Sequence, residues 1–138
     1  MERRNLDFGI EVTPEQWAEL GRAADALGVE EAGFAWDADG FDEIRVLLRY
    51  EDAPDLWRDW VSPHGTYGSA ARPVARFRFN GGRPFAALDL ADFAEQPVVS
   101  EDEERAMQQE LEEWLRGKWR ELLRRSGLHF ERGHLPQR

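Results

Sequence analysis

The chain has 138 residues and a formal charge of −10, with six Trp, eight Phe and no Cys. That much large apolar surface excludes a disordered chain and predicts one domain, its core over 5–126 with a tail over 127–138. The missing cysteine excludes disulfides, thiolate nucleophiles and Cys-ligated zinc, and no apolar run is long enough to span a membrane.

Residues 5–12 alternate, with Leu6, Phe8, Ile10 and Val12 on one side, and predict a half-buried strand. Thr13, Pro14 and Gln16 make an N-cap, a first-turn proline and a capping box. Trp17, Leu20, Ala24 and Leu27 follow at helical spacing, and Gly28 is the expected stop. Residues 31–50 read as a β-hairpin. Phe34 and Trp36 line its first arm, and Ile44, Val46, Leu48 and Tyr50 its second. Asp39-Gly40 supplies the positive-φ turn chemistry. A short helix is expected over 53–61, capped by Asp52 and carrying Leu56, Trp57, Trp60 and Val61 on one side. Residues 62–71 are small or turn-forming and read as a loop.

A second hairpin is expected over 73–90, with Ala75, Phe77 and Phe79 opposite Val74, Arg76 and Arg78, and Asn80-Gly81-Gly82 as its turn. A short turn near 91–93 precedes Pro97. Ser100 and Glu103 form a second capping box at the start of a long helix. Met107, Leu111, Trp114, Leu115, Trp119, Leu122 and Leu123 are its apolar face, and Gly127 its end. Gly117 inside it has no account from sequence. The order β-α-β-β-(α)-β-β-α predicts an α+β fold. In it a mostly antiparallel five-stranded sheet carries the two main helices on one face.

Charge is segregated. Residues 1–60 carry −10, 61–90 carry +3, 91–114 carry −8 and 115–138 carry +5. An acidic chain of this kind suits a basic protein partner and argues against nucleic acid. The N-terminus lacks an apolar h-region, so the cytoplasm is the expected location.

Each motif has a bland reading. The acidic turn Asp37, Asp39, Asp42 and Glu43 lacks the ligand spacing and glycine of a calcium loop and reads as a solvated hairpin. His64, His129 and His134 form no ligand pair, so no metal is expected. The Gly65-Thr66-Tyr67-Gly68 loop lacks the Gly-Lys-Ser/Thr ending of a phosphate loop. No nucleophile–base–orienter set and no cofactor loop emerges, so neither catalytic residues nor a cofactor are expected. Arg72, Arg76, Arg78 and Arg83 form a possible anion-binding hairpin, against the alternative of pairing with the chain's own carboxylates. In the third helix, Glu101–Arg105, Glu112–Arg116 and Glu121–Arg125 are i,i+4 pairs.

The favoured site is a set of acids flanked by aromatics: Asp52, Asp55 and Asp59, with Trp57 or Trp60 at the rim, ready for a basic partner. The composition therefore suggests an inhibitor of the immunity-protein or antitoxin type. In size, acidity and helix–hairpin–helix–hairpin–helix order, residues 14–126 resemble the class I type III secretion chaperones. That resemblance implies a dimeric chaperone or adaptor, and the strand over 5–12 departs from it. A small enzyme or anion binder using the 62–72 loop and the arginine hairpin is the third expectation.

Overall fold

The computed structural model describes residues 3–40, 42–60, 71–80, 82–89 and 100–127, with only the backbone at 3, 4, 59, 60, 71–73 and 89. The elements are β1 (Arg3–Asp7), α1 (Pro14–Ala32), β2 (Phe34–Asp37), β3 (Glu43–Arg49), two 3₁₀ segments (Tyr50–Asp52 and Asp55–Trp60), β4 (Ala71–Asn80), β5 (Arg83–Asp89) and α2 (Glu101–Ser126). The five strands form one sheet in the order β1-β5-β4-β3-β2, every neighbouring pair antiparallel. The fold is α+β, as the alternation and turn chemistry predict.

Both helices lie on one face. The strand residues facing them are registered neighbours: Phe34 beside Val46, Ile44 beside Phe77, Phe77 beside Ala86 and Ala75 beside Leu88. All are buried. α1 seats Trp17 on Phe79, stacked at 5.5 Å, and α2 seats Trp119 edge-on to Phe77 at 5.3 Å. Trp119 also stacks on Phe8 at 4.4 Å, which ties the segment after β1 to α2. Gly21 on α1 faces the indole of Trp36, and a Cβ there would collide with it.

The local departures have identifiable causes. β1 ends at Asp7 rather than near residue 12. Asp7 turns its carboxylate back to the Gly9 N–H at 2.6 Å, and Gly9 adopts φ 77°. Ile10 and Val12 are nevertheless buried, and Val12 N–H donates to Gly82 O. Gly28 leaves the helical conformation at φ 77° and ψ 174°, where the sequence expects the stop, but a second helical piece follows across this kink. One further turn reaches Ala32, and Gly33 at φ 77° closes the helix. In the first hairpin the positive φ falls on Asp42 (54°), not on Asp39 or Gly40. Gly40 is needed for room instead: its N–H donates to Asp37 Oδ1 and the carboxylate occupies the place of a Cβ. α2 starts with the expected Ser100–Glu103 capping box and ends at Gly127, φ 73°.

Candidate functional site

Segment 50–60, expected to hold an α-helix that aligns Asp55 with Asp59, is two 3₁₀ pieces. With three residues per turn, positions four apart lie about 120° apart around the axis, so positions 55 and 59 do not share a line. Trp57 is not a rim residue. It is fully buried and donates Nε1–H to Met107 O at 2.8 Å, pinning the segment to α2. A tryptophan facing a helix finds both apolar cover and an acceptor for its one polar atom, which fixes it inside rather than at an edge. The side chains of Asp59 and Trp60 lie outside the described residues.

Asp52 is also drawn inward. Its Oδ2 accepts from Arg49 Nη2 at 2.7 Å and lies 3.4 Å from Lys118 Nζ. Both cations are buried and cap the end of α1. Arg49 donates to Val29 O and Glu30 O, and Lys118, the chain's one lysine, donates to Ala32 O at 2.6 Å. Cations at a helix C-terminus answer its unpaired carbonyls and the negative end of its dipole. Lys118 also sits 4.9 Å from the ring centroid of Phe34 and 5.6 Å from that of Trp114. Trp114 is half-buried and donates to Asp52 O at 2.8 Å, so it packs on the 3₁₀ segment. Leu111, by contrast, is fully buried.

What remains at the surface of the segment is different. Tyr50 is 39% exposed and Leu56 47%, and Asp55 projects with 86% of its side chain exposed. Glu51 is exposed beside them. Arg58 bridges the two halves: it lies 5.8 Å from the Tyr50 ring centroid, 3.6 Å from Asp55 and 3.1 Å from Ala53 O. Leu56 N–H donates to Glu110 Oε1 at 2.8 Å, which adds an acid from α2.

The arginine hairpin divides. Arg76 and Arg78 converge on Glu43, with Nε to carboxylate distances of 3.0 and 3.3 Å, and Arg45 joins them at 3.2 Å. Glu43 is 1% exposed beneath them. Arg83 instead meets Asp7 at 2.8 Å. Arg83 and then the Gly9 N–H, both hydrogen-bonded to Asp7, hold its carboxyl below the usual aspartate range, and the same pair raises Arg83. The side chain of Arg72 lies outside the described residues, as do His64, His129, His134, the 61–70 loop and the 91–93 turn.

Sequence reasoning missed Arg45 and Glu43 as members of this cluster. The signal was their i,i+2 alternation on β3, but the register that sets them beside β4 was not readable across the long 50–70 connection. The other acids of the first turn disperse. Asp37 holds Gly40 N and Arg45, while Asp42 accepts from Trp17 Nε1 at 3.2 Å. On α2, Glu121 does pair with Arg125 at 3.1 Å, whereas Arg105 turns to Asp102 at 3.0 Å. Glu121 and then Glu31, both hydrogen-bonded to Arg125, raise it above its ordinary value.

Among the described residues no group of three or more His, Asp or Glu is placed to hold a metal ion, and no helix is long and apolar enough to cross a membrane. No protein-family model, curated protein or solved structure matches the chain.

Proposed function

We propose that the chain is a small acidic protein-binding module of the inhibitor type, which caps a basic protein through the surface of residues 50–58. The observation that carries this reading is the exposure of Tyr50 and Leu56. Among the described residues, three large apolar side chains are exposed, and two of them lie on this one short segment. Glu51 and Asp55 stand beside them. Apolar anchors ringed by carboxylates suit a partner that presents Arg or Lys around an apolar contact.

Two physical features support affinity. The charge of −10 steers a basic partner inward and raises the association rate. The segment is also pre-organised, held by buried Trp57, by Glu110 on Leu56 N–H and by Arg58 across Tyr50 and Asp55. A surface already ordered loses little entropy on docking. Trp57 thus serves the site from below.

Comparative affinity capture tests the reading. Wild type and a Tyr50→Ala/Leu56→Ala/Asp55→Ala variant are used as baits in the same extract, treated with nuclease. A basic protein retained by wild type and lost from the folded variant supports the proposal. The same set of proteins on both baits contradicts it, and a homodimer with no third protein bound would favour the chaperone-type reading instead.

A further inference from the structure

The face of the sheet turned away from α1 and α2 carries a cluster of charged side chains apart from the 50–58 surface. Arg45 and Arg76 are register partners on β3 and β4. Like charges directly opposite each other on a sheet are destabilising unless they share a counter-charge. Glu43 is that counter-charge: its Oε2 accepts from Nε of both arginines, and its Oε1 lies 3.3 Å from Arg78 Nε. One buried carboxylate therefore forms the floor beneath three guanidinium groups. The arginine side chains themselves are 43%, 36% and 41% exposed at Arg45, Arg76 and Arg78.

Among the described residues, the donors of Arg45 and Arg76 outnumber their acceptors. A guanidinium has five N–H donors. Arg76 spends Nε on Glu43, and among the described residues its two Nη nitrogens have no acceptor. Arg45 spends Nε on Glu43 and Nη2 on Asp37. Adjacent strands are about 4.8 Å apart, and residues two apart on a strand about 6.7 Å. Long arginine arms on that spacing can meet on one tetrahedral oxyanion, whereas a planar carboxylate is satisfied by a single arginine fork.

Phe85 is the register partner of Arg78 and is half-buried on this face. It also lines an adjoining depression of about 270 Å³, together with Asn5, Asp7, Asn80 and Arg83. We infer that this face binds a small phosphomonoester. Its phosphate is held by Arg45, Arg76 and Arg78, and its organic ring lies over Phe85 toward the Asn5 and Asn80 amides. A nucleic-acid backbone fits less well. Duplex DNA carries a charge about every 1.7 Å of axis, and such a polyanion would run from the three arginines onto Asp37 and Asp7. The site shares no residue with the 50–58 surface, so either can stand without the other.

The test titrates the full-length protein with inorganic phosphate, phenyl phosphate and a single-stranded oligonucleotide, at ionic strength matched with NaCl. Arginine Nε–H and backbone amide NMR signals are followed. Saturable one-site shifts confined to β3, β4 and β5, with phenyl phosphate at least about fivefold tighter than phosphate, are expected. Arg76→Lys keeps a charge over Glu43 but loses the fork, and should weaken both ligands about fivefold or more. A response no different from that to chloride, or shifts centred elsewhere, would overturn the site even if Arg76→Lys fails to fold. Undiminished binding in folded Arg76→Lys and Arg78→Lys variants would do the same. Equal affinity for the two phosphates would overturn the role of Phe85, and an oligonucleotide that outcompetes phenyl phosphate would replace the small ligand by nucleic acid.

Discussion

Replacing Asp52 by alanine separates two kinds of acid that stand three residues apart. Asp52 Oδ2 lies 2.7 Å from Arg49 and 3.4 Å from Lys118, whose side chains are only 10% and 7% exposed. Removing one partner from a fully buried ion pair costs about 3–5 kcal/mol, because a charge is left without its counter-ion. Here the cost is smaller. Asp52 itself is 30% exposed, and Lys118 keeps Glu121 at 3.5 Å as well as Ala32 O. Screening by water reduces the loss to about 1–3 kcal/mol. The hydrogen bond from Trp114 goes to the backbone carbonyl of residue 52 and survives the substitution. For a chain of this length, each kcal/mol moves Tm by about 3–5 °C, so Asp52→Ala should melt about 3–15 °C below wild type. Asp55→Ala removes an 86%-exposed side chain with one 3.6 Å pair and should stay within about 0.5 kcal/mol. Urea unfolding followed by tryptophan fluorescence, at low and high NaCl, measures both. The Asp52 deficit should persist in high salt, since buried pairs are screened little. Equal stability of the two variants would refute the assignment of Asp52 to the interior network.

Three further outcomes follow from the packing. Trp57→Ala should lose about 3–5 kcal/mol, measured by urea denaturation, because the indole is fully buried and its N–H satisfies Met107 O. Gly21→Ala and Gly117→Ala should move stability in opposite directions by calorimetry. The first drives a methyl into Trp36 and costs about 1–3 kcal/mol, whereas the second meets only the tip of Arg120 and gains about 0.5–1 kcal/mol of helix propensity. The lowered pKa of Asp7 makes its contribution complete above the unfolded value of about 3.9, and lost as pH falls through the folded value. Urea midpoints measured from pH 5 down to pH 2 should therefore fall less steeply for Asp7→Asn than for wild type.

Elements whose signals are local were legible in the sequence. Thr13-Pro14 with Gln16, and Ser100 with Glu103, mark both helix starts, and both capping boxes form. Alternation placed Phe34, Ile44, Val46, Ala75 and Phe77 on one sheet face, where all are buried. What failed depends on distant partners. Gly28 reads as a helix end and does break the helix, but the further turn to Ala32 is not legible locally, since Arg49 and Lys118, which donate to its last carbonyls, lie far along the chain. Trp57 reads as a rim residue because nothing nearby tells that α2 covers it. The shift of register between Val46 and Leu47 is likewise invisible locally. It lies next to the alignment of Arg45 with Arg76, which created a cluster that the alternation alone had split between two hairpins.

Binding kinetics of a purified basic partner, captured by wild type, test the docking surface most directly. Leu56→Ala and Asp55→Ala are compared with wild type at low and moderate salt, after each is shown to melt as wild type does. Leu56→Ala should speed dissociation and cost at least about 1 kcal/mol, while Asp55→Ala should mainly slow association, with its effect shrinking as salt rises. Wild-type affinity in both folded variants would contradict the account and place the contact away from residues 50–58.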